Sequence, residues 1–83
     1  MYADHVSHIT GPESNDMSNV YFLLGCDYAD QGFPIKALAC FNQAAMIRKD
    51  DTEACHYNMA ILFYWLGKNN DSISYFNKAL VKR

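Results

Sequence analysis

At 83 residues, 51% of them apolar and 14% aromatic, the chain is sized for one small domain and is too hydrophobic to remain unfolded. A formal net charge of −2 gives no overall basic footprint for nucleic acid, and no apolar run reaches the roughly 20 residues that a membrane-spanning helix needs. The opening stretch, MYADHVSHITG, lacks the basic start and apolar h-region of a secretory signal. Tyr2, Val6 and Ile9 share one face of a short helix that Gly11-Pro12 would stop; the alternative for this leader, residues 1–17, is a flexible segment.

From residue 18 onward the apolar spacing predicts four helices. In the first, over residues 18–31, Tyr21, Leu24 and Tyr28 recur at helical spacing, Asp16 or Ser18 can cap the start, and Gly32 fits the end. The second opens at Pro34, whose missing N–H suits a first turn, and carries Leu38, Phe41 and Ala45 with Ala37 and Ala44 beside them. Arg48 and Lys49 complement its C-terminal dipole. Asp51 or Thr52 can cap the third helix, which runs to Leu66 and ends at Gly67. Asn69 or Asn70 can cap the fourth, which carries Ile73, Phe76 and Leu80 and closes on Lys82 and Arg83. No period-two alternation lasts long enough for a strand, so the fold class is all-α.

Chemistry-bearing residues form no recognisable catalytic set. Three cysteines, Cys26, Cys40 and Cys55, are an odd number without CxxC spacing and read as reduced thiols of a cytoplasmic protein. Cys26 lies beside Asp27, and a carboxylate raises a thiol pKa, which makes a poor nucleophile. His5, His8 and the Cys55-His56 pair fit no zinc spacing, and no phosphate-cradling glycine loop is present. Asp50-Asp51 falls in a turn, where capping accounts for it. The expectation is therefore no enzyme, no metal and no cofactor. Charge is nevertheless uneven: residues 1–30 hold Asp4, Glu13, Asp16, Asp27 and Asp30 without a Lys or Arg, whereas residues 68–83 hold Lys68, Lys78, Lys82 and Arg83 against Asp71.

The chain also repeats itself. Tyr21, Leu24, Gly25, Tyr28 and Gly32 fall over His56, Met59, Ala60, Phe63 and Gly67, and Ala37, Phe41 and Ala44 fall over Ser72, Phe76 and Ala79, always 35 residues on. This pattern resembles the tetratricopeptide repeat: a bulky residue, then Leu-Gly, then Tyr appear as Tyr21, Leu24-Gly25 and Tyr28, followed by Ala37, Phe41 and Ala44. The resemblance covers residues 18–82. It departs from the family at the proline expected after the second helix, where Lys49 stands, and in a repeat one residue longer than the family's roughly 34. The second copy is looser, with His56, Ala60 and Ser72 at the bulky, Gly and Ala positions. The resemblance implies two tandem helix-turn-helix repeats, residues 18–51 and 53–83, an α-solenoid fragment. It also gives Gly25 a reason: a mid-helix glycine costs about 1 kcal/mol relative to alanine, which close approach of paired helices can offset.

A second apolar stripe runs along the first and third helices: Phe22, Cys26 and Ala29, then Tyr57, Ile61, Tyr64 and Trp65. In the family such positions line a concave, peptide-holding groove. The resemblance thus implies a partner-binding groove of Phe22, Cys26, Tyr57, Ile61, Tyr64 and Trp65 with Asn19, Asp30 and Asn58 as polar contacts. The bland alternative is that these rings are core. Some members grip a terminal carboxylate with Lys and Asn; here the matching first-repeat positions are Phe22 and Cys26, and only Asn58 agrees, so an apolar peptide or amphipathic helix is the expected partner. The implied function is protein–protein interaction, as an adaptor or chaperone, with neither nucleic acid nor membrane as partner. The alternative is a structural self-assembly unit. Stacked repeats need a polar cap, and Ile73, Leu80 and Val81 on the last helix are the self-association candidates, with the acidic front and basic tail favouring a head-to-tail approach.

Overall fold

A computed structural model describes residues 14–49 and 51–81, so the leader through Glu13, Asp50, Lys82 and Arg83 lie outside it, as do the side chains of Ser14, Asn15, Asp16 and Val81. The suggested short helix around Tyr2, Val6 and Ile9 therefore falls outside the described residues. The rest is all helix: α1 (Ser14–Asp30), α2 (Pro34–Arg48), α3 (Glu53–Trp65) and α4 (Asn69–Val81). Each helix packs on its neighbour in sequence, α1 on α2, α2 on α3 and α3 on α4, giving two helix-turn-helix hairpins in tandem.

Both hairpin turns are built alike. At the first, the Gly32 N–H donates to the Ala29 carbonyl at 3.1 Å and the Phe33 N–H to the Tyr28 carbonyl at 2.9 Å, with Gly32 at φ +87°. At the second, Gly67 donates to Tyr64 at 3.0 Å and Lys68 to Phe63 at 2.9 Å, with Gly67 at φ +78°. This pair of bonds is the Schellman arrangement, and its left-handed residue is why glycine stands at both places. Pro34 occupies the first turn of α2 as its chemistry predicts. The connection between hairpins lacks a glycine: Lys49, at φ +68°, ends α2 by donating its N–H to the Ala45 carbonyl at 3.0 Å, and Asp51 follows at φ +56°.

Three expected caps are corrected. Asn69 and Asn70 lie in the first turn of α4, whose first acceptor is the Lys68 carbonyl, bonded by the Ser72 N–H at 2.9 Å. α1 is already helical at Ser14, which places Asp16 and Ser18 within the helix rather than at its start. Ser18 is fully buried, donating its hydroxyl to the Ala44 carbonyl of α2 at 3.2 Å and accepting from Arg48 Nε at 2.9 Å. It ties α1 to the end of α2. Thr52 holds the N-cap position of α3 without a side-chain capping bond; its hydroxyl stands 3.5 Å from His56 Nδ1.

The core explains the small residues. Ala37, Phe41, Met59 and Leu62 form its buried cluster, with Phe22, Cys26, Tyr28, Ala29, Leu38, Phe63 and Tyr75 packed against it. Gly25 is buried facing the Phe41 ring, and a Cβ there would lie 3.0 Å from ring carbons. Ala60, the equivalent in α3, is equally buried, and its carbonyl accepts a 2.8 Å bond from the Ser72 hydroxyl of α4. Ala37, Ala44 and Ala79 are buried as well. The helices touch where side chains are smallest, and rings fill the space alongside. Burying a ring such as Phe41 contributes roughly 1.5–3 kcal/mol, a large share of a small domain's stability.

Candidate functional site

Where α1 and α3 lie side by side they leave an open trough floored by α2. On α1 its wall is Asn19, Phe22, Cys26, Ala29 and Asp30; on α3 it is Ala54, Cys55, Asn58, Ile61, Leu62 and Trp65. These are the i, i+3, i+4 and i+7 positions of one face on each helix, so both walls follow from helical periodicity alone. Among the described residues, two depressions open along the trough. One, of about 220 Å³, lies among Cys26, Ala29, Asp30, Phe41, Asn58, Ile61, Leu62 and Trp65. The other, of about 200 Å³, lies among Asn19, Phe22, Arg48, Asp51, Ala54 and Cys55. Each falls below the roughly 300–1,000 Å³ of a typical small-molecule pocket and is sized for single side chains.

Seven of the nine residues expected at the groove line this trough: Asn19, Phe22, Cys26, Asp30, Asn58, Ile61 and Trp65. Trp65 stands 60% exposed over the larger depression. Phe22 is shared with the core, its ring meeting Phe41 edge-to-face at 5.3 Å. Tyr57 and Tyr64 do not join them. Tyr57 turns to α4, edge-to-face with Phe76 at 5.5 Å, and Tyr64 lines a separate depression with Asn69, Ser72, Ile73 and Phe76. The 35-residue register carries that information: it sets Tyr57 over Phe22 and Phe76 over Phe41, a pair that packs within its own hairpin.

The polar groups of the trough are mostly committed to the protein. Asn58 Nδ2 donates to the Ala54 carbonyl at 2.8 Å, within its own helix. Asn19 Oδ1 accepts from Arg48 Nη2 at 2.8 Å, while Arg48 Nε donates to Ser18. Arg48 thus clamps α1 to the end of α2, a role that sequence periodicity could not reveal because the partners are 29 and 30 residues away. Its further contact with Asp51, at 3.5 Å, reaches a largely exposed carboxylate. Burial raises the Cys26 thiol pKa, and the nearby Asp30 carboxylate adds to it. Burial likewise raises Cys40. It raises Cys55 too, with Arg48 opposing the shift and Asp51 and Cys26 adding to it. All three thiols are free and held toward the protonated, unreactive form.

Among the described residues, no group of three or more His, Cys, Asp or Glu side chains is placed to hold a metal ion, and no helix is long and apolar enough to cross a membrane. His56, which could have suggested a ligand, is half-buried with its ring 5.7 Å from that of Tyr75. The fold and site together define an all-α pair of helical hairpins with an apolar interhelical trough. Comparison of the chain with family models, with curated proteins and with solved structures gave no match.

Proposed function

We propose that the chain is a protein–protein interaction module of the tetratricopeptide type, with an adaptor or chaperone role in the cytoplasm, and that it binds a short apolar peptide in the trough between α1 and α3. The observation that carries this reading is Trp65, exposed over a depression whose other walls are Cys26, Ala29, Ile61 and Leu62, with Asp30 and Asn58 at the rim. A large aromatic ring beside an apolar hollow loses water-exposed area when a partner side chain fills the hollow, and Trp is among the residues that dominate such contacts. Two depressions along one trough fit two side chains of the same peptide. The committed asparagines leave few free donors, so affinity rests on apolar burial, with polar groups setting orientation.

Trp65 is the chain's single tryptophan and so reports on the trough directly. Titrating the protein with a library of short peptides, apolar and polar-scrambled, should shift Trp65 emission to the blue only for the apolar set. Cys26→Arg, which fills the larger depression, should remove the response while leaving the helical circular dichroism intact. Binding that survives both Cys26→Arg and Trp65→Ala, the latter read by calorimetry, would place the partner elsewhere and overturn the reading.

A further inference from the structure

A strip that is buried on α3 is bare on α1. Thr52, Cys55 and Met59 are 6%, 3% and 4% exposed, Met59 sharing a buried cluster with Ala37 and Phe41 of α2. Their counterparts 35 residues earlier are Met17, Val20 and Leu24, all apolar, and these stand 46%, 42% and 40% exposed. The strip faces away from the trough: at about 100° per residue, Leu24 lies roughly 200° round α1 from Cys26. Among the described residues nothing buries it.

The sequence supplies a segment that precedes α1 as α2 precedes α3. Tyr2, Val6 and Ile9 fall 35 residues ahead of Ala37, Phe41 and Ala44, all buried in α2. At helical spacing these three share one face, with Asp4, Ser7 and His8 on the other. Gly11 followed by Pro12 is a helix stop of the kind that Gly32 and Pro34 make between α1 and α2. The stop falls about a turn earlier in the register than the end of α2. α1 likewise begins about a turn earlier than α3, at Ser14 rather than at Ser18, the counterpart of Glu53. Offsets of a whole turn leave each apolar row on its own face. In an antiparallel hairpin about residues 11–13, chain length then sets the pairing. Ile9 falls opposite Met17, Val6 opposite Val20 and Tyr2 opposite Leu24, much as Ser18 meets Ala44 and Gly25 faces Phe41 about Gly32. The row ends at Leu24, a turn short of Asp27, so that carboxylate and its 3.0 Å bond from Gln31 stay outside it. A link this short holds the segment beside the strip at an effective concentration of roughly millimolar, which a separate partner would have to exceed.

We propose that residues 2–9 form a helix docked antiparallel on the Met17–Val20–Leu24 strip of α1 in the same molecule, a half-repeat that covers the outer face of the first hairpin. About ten residues are too few to hold a helix alone in water, so the helix and its contact form together. Asp4, Ser7 and His8 are left facing water. The contact uses the side of α1 opposite the trough and stands whether or not a peptide binds there.

Nuclear Overhauser spectroscopy of the full chain tests it. Cross-peaks should link Ile9 to Met17, Val6 to Val20 and the Tyr2 ring to Leu24. Cross-peaks from residues 2–9 to Ile61 or Trp65 would put the segment in the trough instead. Cross-peaks found only between copies, in a mixture of labelled and unlabelled chains, would give the strip to a second copy. Either result, or no cross-peak from residues 2–9 to α1, would overturn the proposal. A thermal cycle checks the energetics with Val6→Asp, Val20→Asp and both together, since valine and aspartate differ little in helix propensity. Each single variant should lower the melting temperature by about 4 °C or more. The double variant should melt close to the lower of the two, because either change alone already releases the helix. Shifts that simply add, or no shift for Val6→Asp, would show that the two valines do not meet.

Discussion

The edge of the Phe41 ring occupies the space into which a side chain at Gly25 would grow: an added Cβ would sit 3.0 Å from both Cε1 and Cζ. Phe41 has no room to retreat, since Phe22 packs on its ring and Met59 and Leu62 share its buried cluster. Gly25→Leu should therefore lower stability by about 1–3 kcal/mol or more, despite leucine's better helix propensity. Urea denaturation of Gly25→Ala in two backgrounds separates the causes. Alanine should be worse than glycine in the native background and better by about 1 kcal/mol beside Phe41→Leu, where propensity alone remains. Equal effects in both backgrounds would show that the ring does not matter.

Removing the Ser18 hydroxyl strands Arg48 Nε at a part-buried position and frees the Ala44 carbonyl. Ser18→Ala should cost about 1–3 kcal/mol, the penalty for leaving a buried polar group without its partner. Arg48→Lys should not substitute, because an ammonium cannot reach Ser18 and Asn19 as the two arms of a guanidinium do. Asp51→Asn should change stability by less than about 0.5 kcal/mol, since its carboxylate is largely exposed and the ion pair long. Thermal melts of the three variants rank them directly.

Folding raises the pKa of all three thiols, chiefly through burial, so the folded state holds those protons more tightly than the unfolded chain. This contribution to stability is complete below the ordinary thiol range and is lost as pH rises through the raised folded values. Alkylation should follow suit: Cys26, the least enclosed, should react first, and only at a pH above that needed for a free thiol. A peptide in the trough should protect Cys26. Rapid labelling of Cys40 or Cys55 at neutral pH would contradict their placement.

Trp65→Ala removes a mostly exposed ring from the rim of the larger depression. Stability should change by about 0.5 kcal/mol or less, as for most surface substitutions, whereas peptide affinity should fall by at least tenfold. Calorimetric titration beside a thermal melt distinguishes loss of a contact from loss of the fold.

The helices were legible because their signals are local. Pro34, Gly32 and Gly67 punctuate the chain, and the recurrence of small residues at positions 25, 37, 44 and 60, 72, 79 marks where helices meet. Most of the trough was legible too, since Cys26, Ile61 and Trp65 follow from which face of α1 and α3 is left over. Ser18 was misread because a serine ahead of an apolar run is the usual sign of a helix start, and its real partner lies 26 residues away. Tyr57 and Tyr64 were assigned by apolar spacing to the same stripe as Ile61 and Trp65. A stripe that wide spans two sides of a helix, and only packing decides which residues turn toward α4.

Because, among the described residues, each helix packs chiefly on its sequence neighbours, α2 and α3 have two such neighbours while α1 and α4 have one. Such an arrangement keeps contacts short-range along the chain, which favours rapid folding, and lets the molecule open from its ends instead of all at once. Amide hydrogens near Phe41 and Leu62 should accordingly exchange slowest, with protection declining outward along both terminal helices. The seam between the hairpins is then the last cooperative unit to dissolve.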